Sequence, residues 1–93
     1  MNAITAGPNP FHVDGQTSYV IKNLAFNSRV KIFNLKGELI RELSTENGSI
    51  KGSRAIWDGR DSSRNTVAGG IYIFLAYNDE GMRGSGKIAV VRR

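Results

Sequence analysis

The fold is decided by the stretch Trp57-Asp58-Gly59-Arg60-Asp61 and, after a short polar segment, by Gly70-Ile71-Tyr72. A large aromatic residue ends one apolar stretch, a polar loop follows, and a second strand begins at a glycine. This order is typical of a strand, a fixed loop and another strand, with Trp57 and Tyr72 as anchors of the core. The predicted structural anchors are Gly37, Trp57, Asp58, Gly59, Asp61, Gly70, Tyr72 and Phe74.

Two-residue alternation recurs along the chain, whereas helical periodicity with capping residues does not. Residues 34–37 are expected to form a tight hairpin turn with Gly37 in the left-handed conformation. Seven short strands without a helix predict an all-β fold, a seven-stranded antiparallel β-sandwich of the immunoglobulin or fibronectin type III kind. A small open barrel is the alternative. The seven strands are predicted near Ile4 and over residues 18–23, 30–35, 38–43, 53–57, 70–77 and 86–92.

Length and composition exclude several classes of protein. The 93 residues are predicted to form a single domain over residues 1–93. There is no cysteine, so disulfides, cysteine zinc sites and thiol nucleophiles are excluded. No apolar run is long enough for a membrane helix, which predicts no membrane insertion. The net charge of +5 is spread over single residues, which favours a solvated surface over a nucleic-acid partner.

No residues are spaced for catalysis. Asp58, Asp61 and Asn65 lack the alternating ligands of a calcium loop and are predicted to stabilise turns, although a weak calcium site stays open. His12, the only histidine, is predicted to lie on the surface because no nucleophile motif accompanies it. The glycine-rich residues 81–86 lack the Lys-Ser/Thr of a phosphate-binding loop and are expected to form a flexible hairpin. The sequence therefore predicts no enzyme, no cofactor and no metal site.

The pleat of the strand over residues 70–77 predicts an apolar strip on an outer sheet face. If Tyr72 and Phe74 face inward beside Trp57, alternate residues must point outward. A contiguous exposed apolar patch usually marks a partner or a neighbouring domain. The alternatives are that a loop or the N-terminal segment covers the patch, or that the two faces are reversed. The candidate interface comprises Phe33, Leu35, Ile71, Ile73, Leu75, Ala89 and Val91.

Five segments together are similar to a known family. They resemble the immunoglobulin-like domain of flagellar hook-capping proteins, which overlaps the type IX secretion C-terminal sorting domain of exported bacterial proteins. The resemblance covers nearly the whole chain, and members commonly have glycine where Arg64 stands. The segments are residues 7–11 (Gly-Pro-Asn-Pro-Phe), 30–37, 57–61, 70–72 and 86–92.

The resemblance implies a non-catalytic structural or interaction module, C-terminal in an exported bacterial protein, located extracellularly, at the cell surface or in the periplasm. Docking, assembly or export recognition would use a sheet face or an edge strand. The partner would be another domain of the parent protein, a secretion or assembly component, or a second copy. The last strand also resembles an export signal, with candidate residues Lys87, Ile88, Val90 and Arg92. A carbohydrate- or ligand-binding sandwich is the alternative, and Phe11 and Tyr77 are its candidate aromatics.

Overall fold

The computed structural model describes residues 4–81 and 83–92, which form nine β-strands in two sheets and contain no helix. The all-β prediction is confirmed, but the predicted count of seven strands is wrong. The strands are β1 (Thr5–Gly7), β2 (Phe11–Val13), β3 (Tyr19–Lys22), β4 (Arg29–Asn34), β5 (Leu39–Leu43), β6 (Ile50–Lys51), β7 (Arg54–Trp57), β8 (Gly70–Tyr77) and β9 (Arg83–Arg92).

The two additional strands, β2 and β6, are only three and two residues long. Strands of this length are too short for an alternating pattern to stand out from the surrounding loops. The sequence indicates a bend at Pro8 and Pro10, and the structure shows that the chain changes sheets there.

The five-stranded sheet has the order β2-β9-β8-β4-β5 and the four-stranded sheet the order β1-β3-β7-β6. All strand pairs are antiparallel except β2 and β9, which run parallel with Phe11 opposite Val90. The prediction of a wholly antiparallel architecture is therefore wrong at this pair. The N-terminal segment thus contributes a strand to each sheet.

The glycine-rich segment forms the beginning of a long strand. β9 starts at Arg83 and pairs with β8 over the full length of β8, so the prediction of a flexible hairpin is wrong for residues 83–86. Met82 lies outside the described residues. A methyl group placed on Gly86 would lie 2.5 Å from Cε2 of Phe74, and one on Gly84 would meet the side chain of Ile4. These glycines make room for larger core side chains, which explains the composition of the segment.

Aromatic side chains from both sheets meet in the core. Trp57 of β7 is fully buried, with its ring centroid 5.8 Å from that of Phe11 and 5.9 Å from that of Tyr72. The rings of Tyr19 and Phe74 add another contact between the sheets, at 6.5 Å. Burial of each large apolar side chain contributes about 1.5–3 kcal/mol, so this cluster holds the two sheets face to face.

Candidate functional site: the outer faces of the two sheets

The loop after Trp57 is fixed by its own polar groups. The Nε1–H of Trp57 donates to the carbonyl of Arg60 (2.9 Å), and Oδ1 of Asp58 accepts from the N–H of Arg60 (3.0 Å). Gly59 is buried with φ of +80°, and a methyl group on it would lie 2.9 Å from Val13. A side chain at this position would therefore be strained and would also collide with β2.

The second turn of the loop is built around Asp61. Its Oδ1 accepts from the N–H groups of Ser63 (2.9 Å) and Asn65 (3.0 Å). Between them, Arg64 has φ of +69°, the left-handed conformation that glycine adopts most easily. The turn therefore has the conformation that would suit the glycine of the domains it resembles, although the residue here is arginine.

The carboxylates of this loop engage protein groups. Asp58 forms an ion pair with Arg41 at 3.1 Å, in addition to its bond with the Arg60 N–H. Within residues 4–81 and 83–92, no group of three or more His, Asp or Glu side chains is placed to hold a metal ion.

The side chains of β8 alternate between the core and the outer face as the sequence predicts. Tyr72 and Phe74 are buried, with Tyr72 only 7% exposed, whereas Ile73 is 36% exposed and points to the opposite side. Leu35 is exposed as well, but it lies in the turn after β4, which ends at Asn34, so the pleat does not determine its direction. We define the apolar strip as the outward residues Phe33, Leu39, Ile71, Ile73, Leu75, Ala89 and Val91.

The members of the apolar strip are neighbours across the sheet. Phe33 lies opposite Leu39 on one side and Ile73 on the other, so one apolar row crosses three strands. Ile71 lies opposite Ala89 and continues the strip toward β9. Leu39 was missed by the sequence analysis because a β-bulge at this point makes the pairing skip Ile40. Such a bulge leaves no signal in the alternating pattern.

Charged side chains surround the apolar strip. Lys87 lies opposite Ile73, and Lys31 lies between Leu75 and Glu42 on the neighbouring strands. An apolar centre with a polar and charged rim is the usual composition of a protein–protein interface.

His12 lies at the β2 end of the same face, opposite Val91. The side chain is half-buried, and its Nδ1 is buried without a hydrogen-bond partner among the described residues. A buried polar atom without a partner destabilises a fold by about 1–3 kcal/mol.

Asn9, within the Pro-Asn-Pro segment, closes part of the edge of β9. Its Nδ2 donates to the carbonyl of Lys87 (3.2 Å) and its Oδ1 accepts from the N–H of Ala89 (3.0 Å). The same Nδ2 lies 3.3 Å from the hydroxyl of Tyr19. The side chain thereby occupies backbone groups of β9 just before β2 begins to pair with it.

The phenol groups of the core are shielded from solvent. Burial raises the pKa of Tyr19, and the hydrogen bond from Asn9 opposes this shift. Burial also raises the pKa of Tyr72, whose hydroxyl donates to the carbonyl of Ala68 at 2.7 Å. Burial therefore favours the neutral phenol at both positions.

The free side of β5 is also covered. The carbonyl of Ile40 accepts from both the N–H (3.0 Å) and the hydroxyl (3.1 Å) of Ser62, and the carbonyl of Glu42 accepts from Nδ2 of Asn47 (2.9 Å). These bonds occupy carbonyls that an added strand would need. The sheet face is therefore better suited to docking than this edge.

The four residues that resemble an export signal divide between two environments. Ile88 and Val90 are buried in the core, whereas Lys87 and Arg92 are exposed. A receptor for the folded domain would therefore contact only the charged pair. Arg93 lies outside the described residues.

The aromatics of the carbohydrate-binding alternative do not come together. Phe11 is fully buried in the core, and Tyr77 lies on the outer face of the five-stranded sheet. The Nζ of Lys31 is 5.6 Å from the centroid of the Tyr77 ring. Phe11 therefore offers no stacking surface, and the two rings do not form a common one.

The outer face of the four-stranded sheet is different in character. Its centre is apolar, with Val20 opposite Ile56, which is 43% exposed. The charged residues around this centre are Lys22, Lys51 and Arg54. A shallow groove of about 400 Å³ lies along β1 and β3, and its lining residues are Thr5, Ala6, Gly7, Pro8, Ser18, Val20 and Lys22.

Comparison with known proteins identifies one informative similarity. No protein-family model and no curated protein matches the sequence. Among solved structures, the chain is similar to PorZ of Porphyromonas gingivalis, described as an essential bacterial surface component of the type IX secretion system. The two share 25% identity with a TM-score of 0.74 over 96% of this chain. The match spans only 11% of the PorZ chain. Within the described residues, no helix is long and apolar enough to cross a membrane.

Proposed function

We propose that the chain is a non-catalytic, immunoglobulin-like sandwich module of an exported or cell-surface bacterial protein that is linked to type IX secretion. Its role is to dock another protein domain through the apolar strip. The structural similarity to PorZ supports the secretion setting. It does not extend to flagellar hook-capping proteins, so that part of the resemblance stays a prediction.

The observation that carries the docking role is the continuous row of Leu39, Phe33 and Ile73 across three strands of one open sheet face. Ile71 and Ala89 extend the row toward β9. A contiguous apolar surface of this kind usually marks an interaction site. The occupied carbonyls of β5 support use of the face rather than of that edge.

A neighbouring domain of the parent protein is the occupant that we expect, because the matched part of PorZ is a small part of a much longer chain. A secretion or assembly component and a second copy of this chain are the other candidate partners. The export signal proposed for Lys87, Ile88, Val90 and Arg92 would have to be recognised through Lys87 and Arg92 in the folded state, because the other two are buried.

The test compares two exposed isoleucines on opposite outer faces. We expect Ile73→Lys to leave the thermal melting temperature within a few degrees and to abolish docking, because a charge enters the centre of the apolar strip. Ile56→Lys, the matched control on the four-stranded sheet, should leave docking intact. A photo-reactive amino acid placed at position 73 of the parent protein in its native cell, with position 56 as control, identifies the partner.

A cross-link from position 73 to another part of the same chain, to a secretion component or to a second copy would each support docking by the apolar strip. Cross-linking of one and the same partner to an equal extent from positions 73 and 56 would contradict it. Unfolding of the Ile73→Lys variant would show that this face belongs to the core.

A further inference from the structure

Three cations form a row across the outer face of the four-stranded sheet. Lys51 lies opposite Arg54, and Lys22 follows Ile21, which lies opposite Ala55, so Lys22 and Arg54 are also neighbours. All three cations are exposed. Adjacent strands are about 4.8 Å apart, so the row spans about 10 Å. We call Lys22, Arg54 and Lys51 the cationic row.

The cationic row is not neutralised within the domain. Strands β1, β3, β6 and β7 contain no aspartate or glutamate. Among the described residues, the ion pair that does form joins Arg41 to Asp58, so none of the three cations is paired with a carboxylate. Like charges on directly opposite residues destabilise a sheet. An anion supplied from outside would remove this repulsion.

The groove beside the cationic row presents hydroxyl groups and aliphatic side chains. Lys22 belongs to both features, and the groove also presents the hydroxyl-bearing residues Thr5 and Ser18 beside Val20. Val20 and the exposed Ile56 form an apolar centre next to the cations. A surface that combines cations, hydroxyls and aliphatic side chains matches a peptide that carries both carboxylates and apolar side chains. A phosphate headgroup would supply the anion but no apolar side chain to pack against Val20 and Ile56.

We propose that the cationic row and the adjoining groove bind an acidic segment of a protein partner. Lys22 and Val20 are two residues apart on β3, which is about 7 Å and equals the spacing of side chains on one side of an extended segment. A segment lying along the strands therefore places a carboxylate over the cationic row and the apolar side chain two residues away over Val20 and Ile56. This site is on the opposite side of the domain from the apolar strip and does not depend on the proposed docking function.

The probe is a fluorescein-labelled octapeptide of two Glu-Ser-Val-Ser repeats, which carries Glu and Val on the same side when extended, measured by fluorescence anisotropy against the 93-residue chain. The variant Lys22→Gln/Lys51→Gln/Arg54→Gln removes the cationic row. The control Lys36→Gln/Arg60→Gln/Arg83→Gln removes the same number of cations, all exposed, from elsewhere in the structure. We expect at least tenfold weaker peptide binding by the first variant and less than twofold by the control.

Two further arms distinguish the peptide from other anions. A peptide with Gln in place of Glu should bind at least tenfold more weakly than the acidic one. Vesicles containing phosphatidylglycerol should show no difference between the two triple variants. Equal weakening by both variants, absence of peptide binding, or vesicle binding that depends on the cationic row without peptide binding would each overturn the proposal. Thermal melts of both triple variants verify that the fold is retained.

Discussion

The outer faces of the two sheets expose different kinds of side chain, although the inner faces of both sheets bury similar apolar and aromatic ones. The five-stranded sheet exposes aliphatic and aromatic side chains across three adjacent strands, whereas the four-stranded sheet exposes three cations around a small apolar centre. Inward, both sheets contribute large aromatic side chains to one cluster. The inward half of each alternating pattern therefore determines the fold, and the outward half is free to carry recognition. Substitutions should separate these two roles.

The largest effect is expected for Trp57→Ala. Truncation of a buried aromatic side chain lowers the free energy of unfolding by about 3–5 kcal/mol, a large fraction of the stability of a small domain. Ile56→Ala, the next residue on the same strand but on the outer face, should change it by less than about 1 kcal/mol. Urea denaturation of both variants measures the difference. Similar losses would contradict the assignment of the two faces of β7.

The next effect compares two glycines on the inner side of β9. Gly86→Ala should lower the free energy of unfolding by about 1–3 kcal/mol, because the new methyl group requires the ring of Phe74 to move. Gly84→Ala meets only the end of the Ile4 side chain, which can rotate away, and should be close to neutral. Thermal melts of the two variants measure these changes in stability. An unchanged melting temperature of the Gly86→Ala variant would show that the core has room for a methyl group beside Phe74.

Alkaline pH should lower the free energy of unfolding, because two buried tyrosines lose their protons. The pKa values of Tyr19 and Tyr72 are raised by burial, so the folded state holds their protons to higher pH than the unfolded state does. The free energy of unfolding should therefore be unaffected by these groups below pH 10 and fall as the pH rises through their folded pKa values. Urea denaturation at several pH values above and below 10 measures this fall, which should be smaller in Tyr72→Phe. An identical fall in that variant would contradict the assignment to Tyr72.

The smallest effect is expected in the loop between the sheets. Arg64 has a positive φ, which is unfavourable for a side chain by about 1–2 kcal/mol, and part of this is offset by the greater freedom of glycine in the unfolded chain. Arg64→Gly should therefore raise the free energy of unfolding by up to about 1 kcal/mol. Arg60→Gly in the same loop is the control and should not stabilise. A loss of stability in Arg64→Gly would mean that the arginine side chain stabilises the turn.

Much of the fold follows from alternation alone. The strand β8 was predicted with its observed bounds, and the inward positions of Tyr72 and Phe74 follow from its pleat. An alternation of apolar and polar residues can be recognised only over several residues. The three residues of β2 and the two of β6 were therefore too few to predict a strand. The parallel pairing of β2 with β9 could not be predicted either, since it joins segments at opposite ends of the sequence.

The two proposed surfaces follow from the sequence only in part, for a related reason. The outward direction of Ile71 and Ile73 follows from the alternation in one strand. Which residues lie beside them on the neighbouring strands depends on the register of the strand pairs. The bulge that brings Leu39 beside Phe33 has no local signature. The cationic row likewise comes from three separate segments, and the single charges of the sequence give no sign that they lie side by side.

The bond between Ala89 and Asn9 joins residues 80 positions apart, and β2 adds its parallel pairing to the same strand. Contacts this distant in sequence are slow to form, because a long loop must be closed before they return any free energy. The five-stranded sheet cannot be completed until β9 has been synthesised. All strands of the four-stranded sheet precede β8 and β9 in the sequence, so the sheet that carries the apolar strip is the later of the two to be completed.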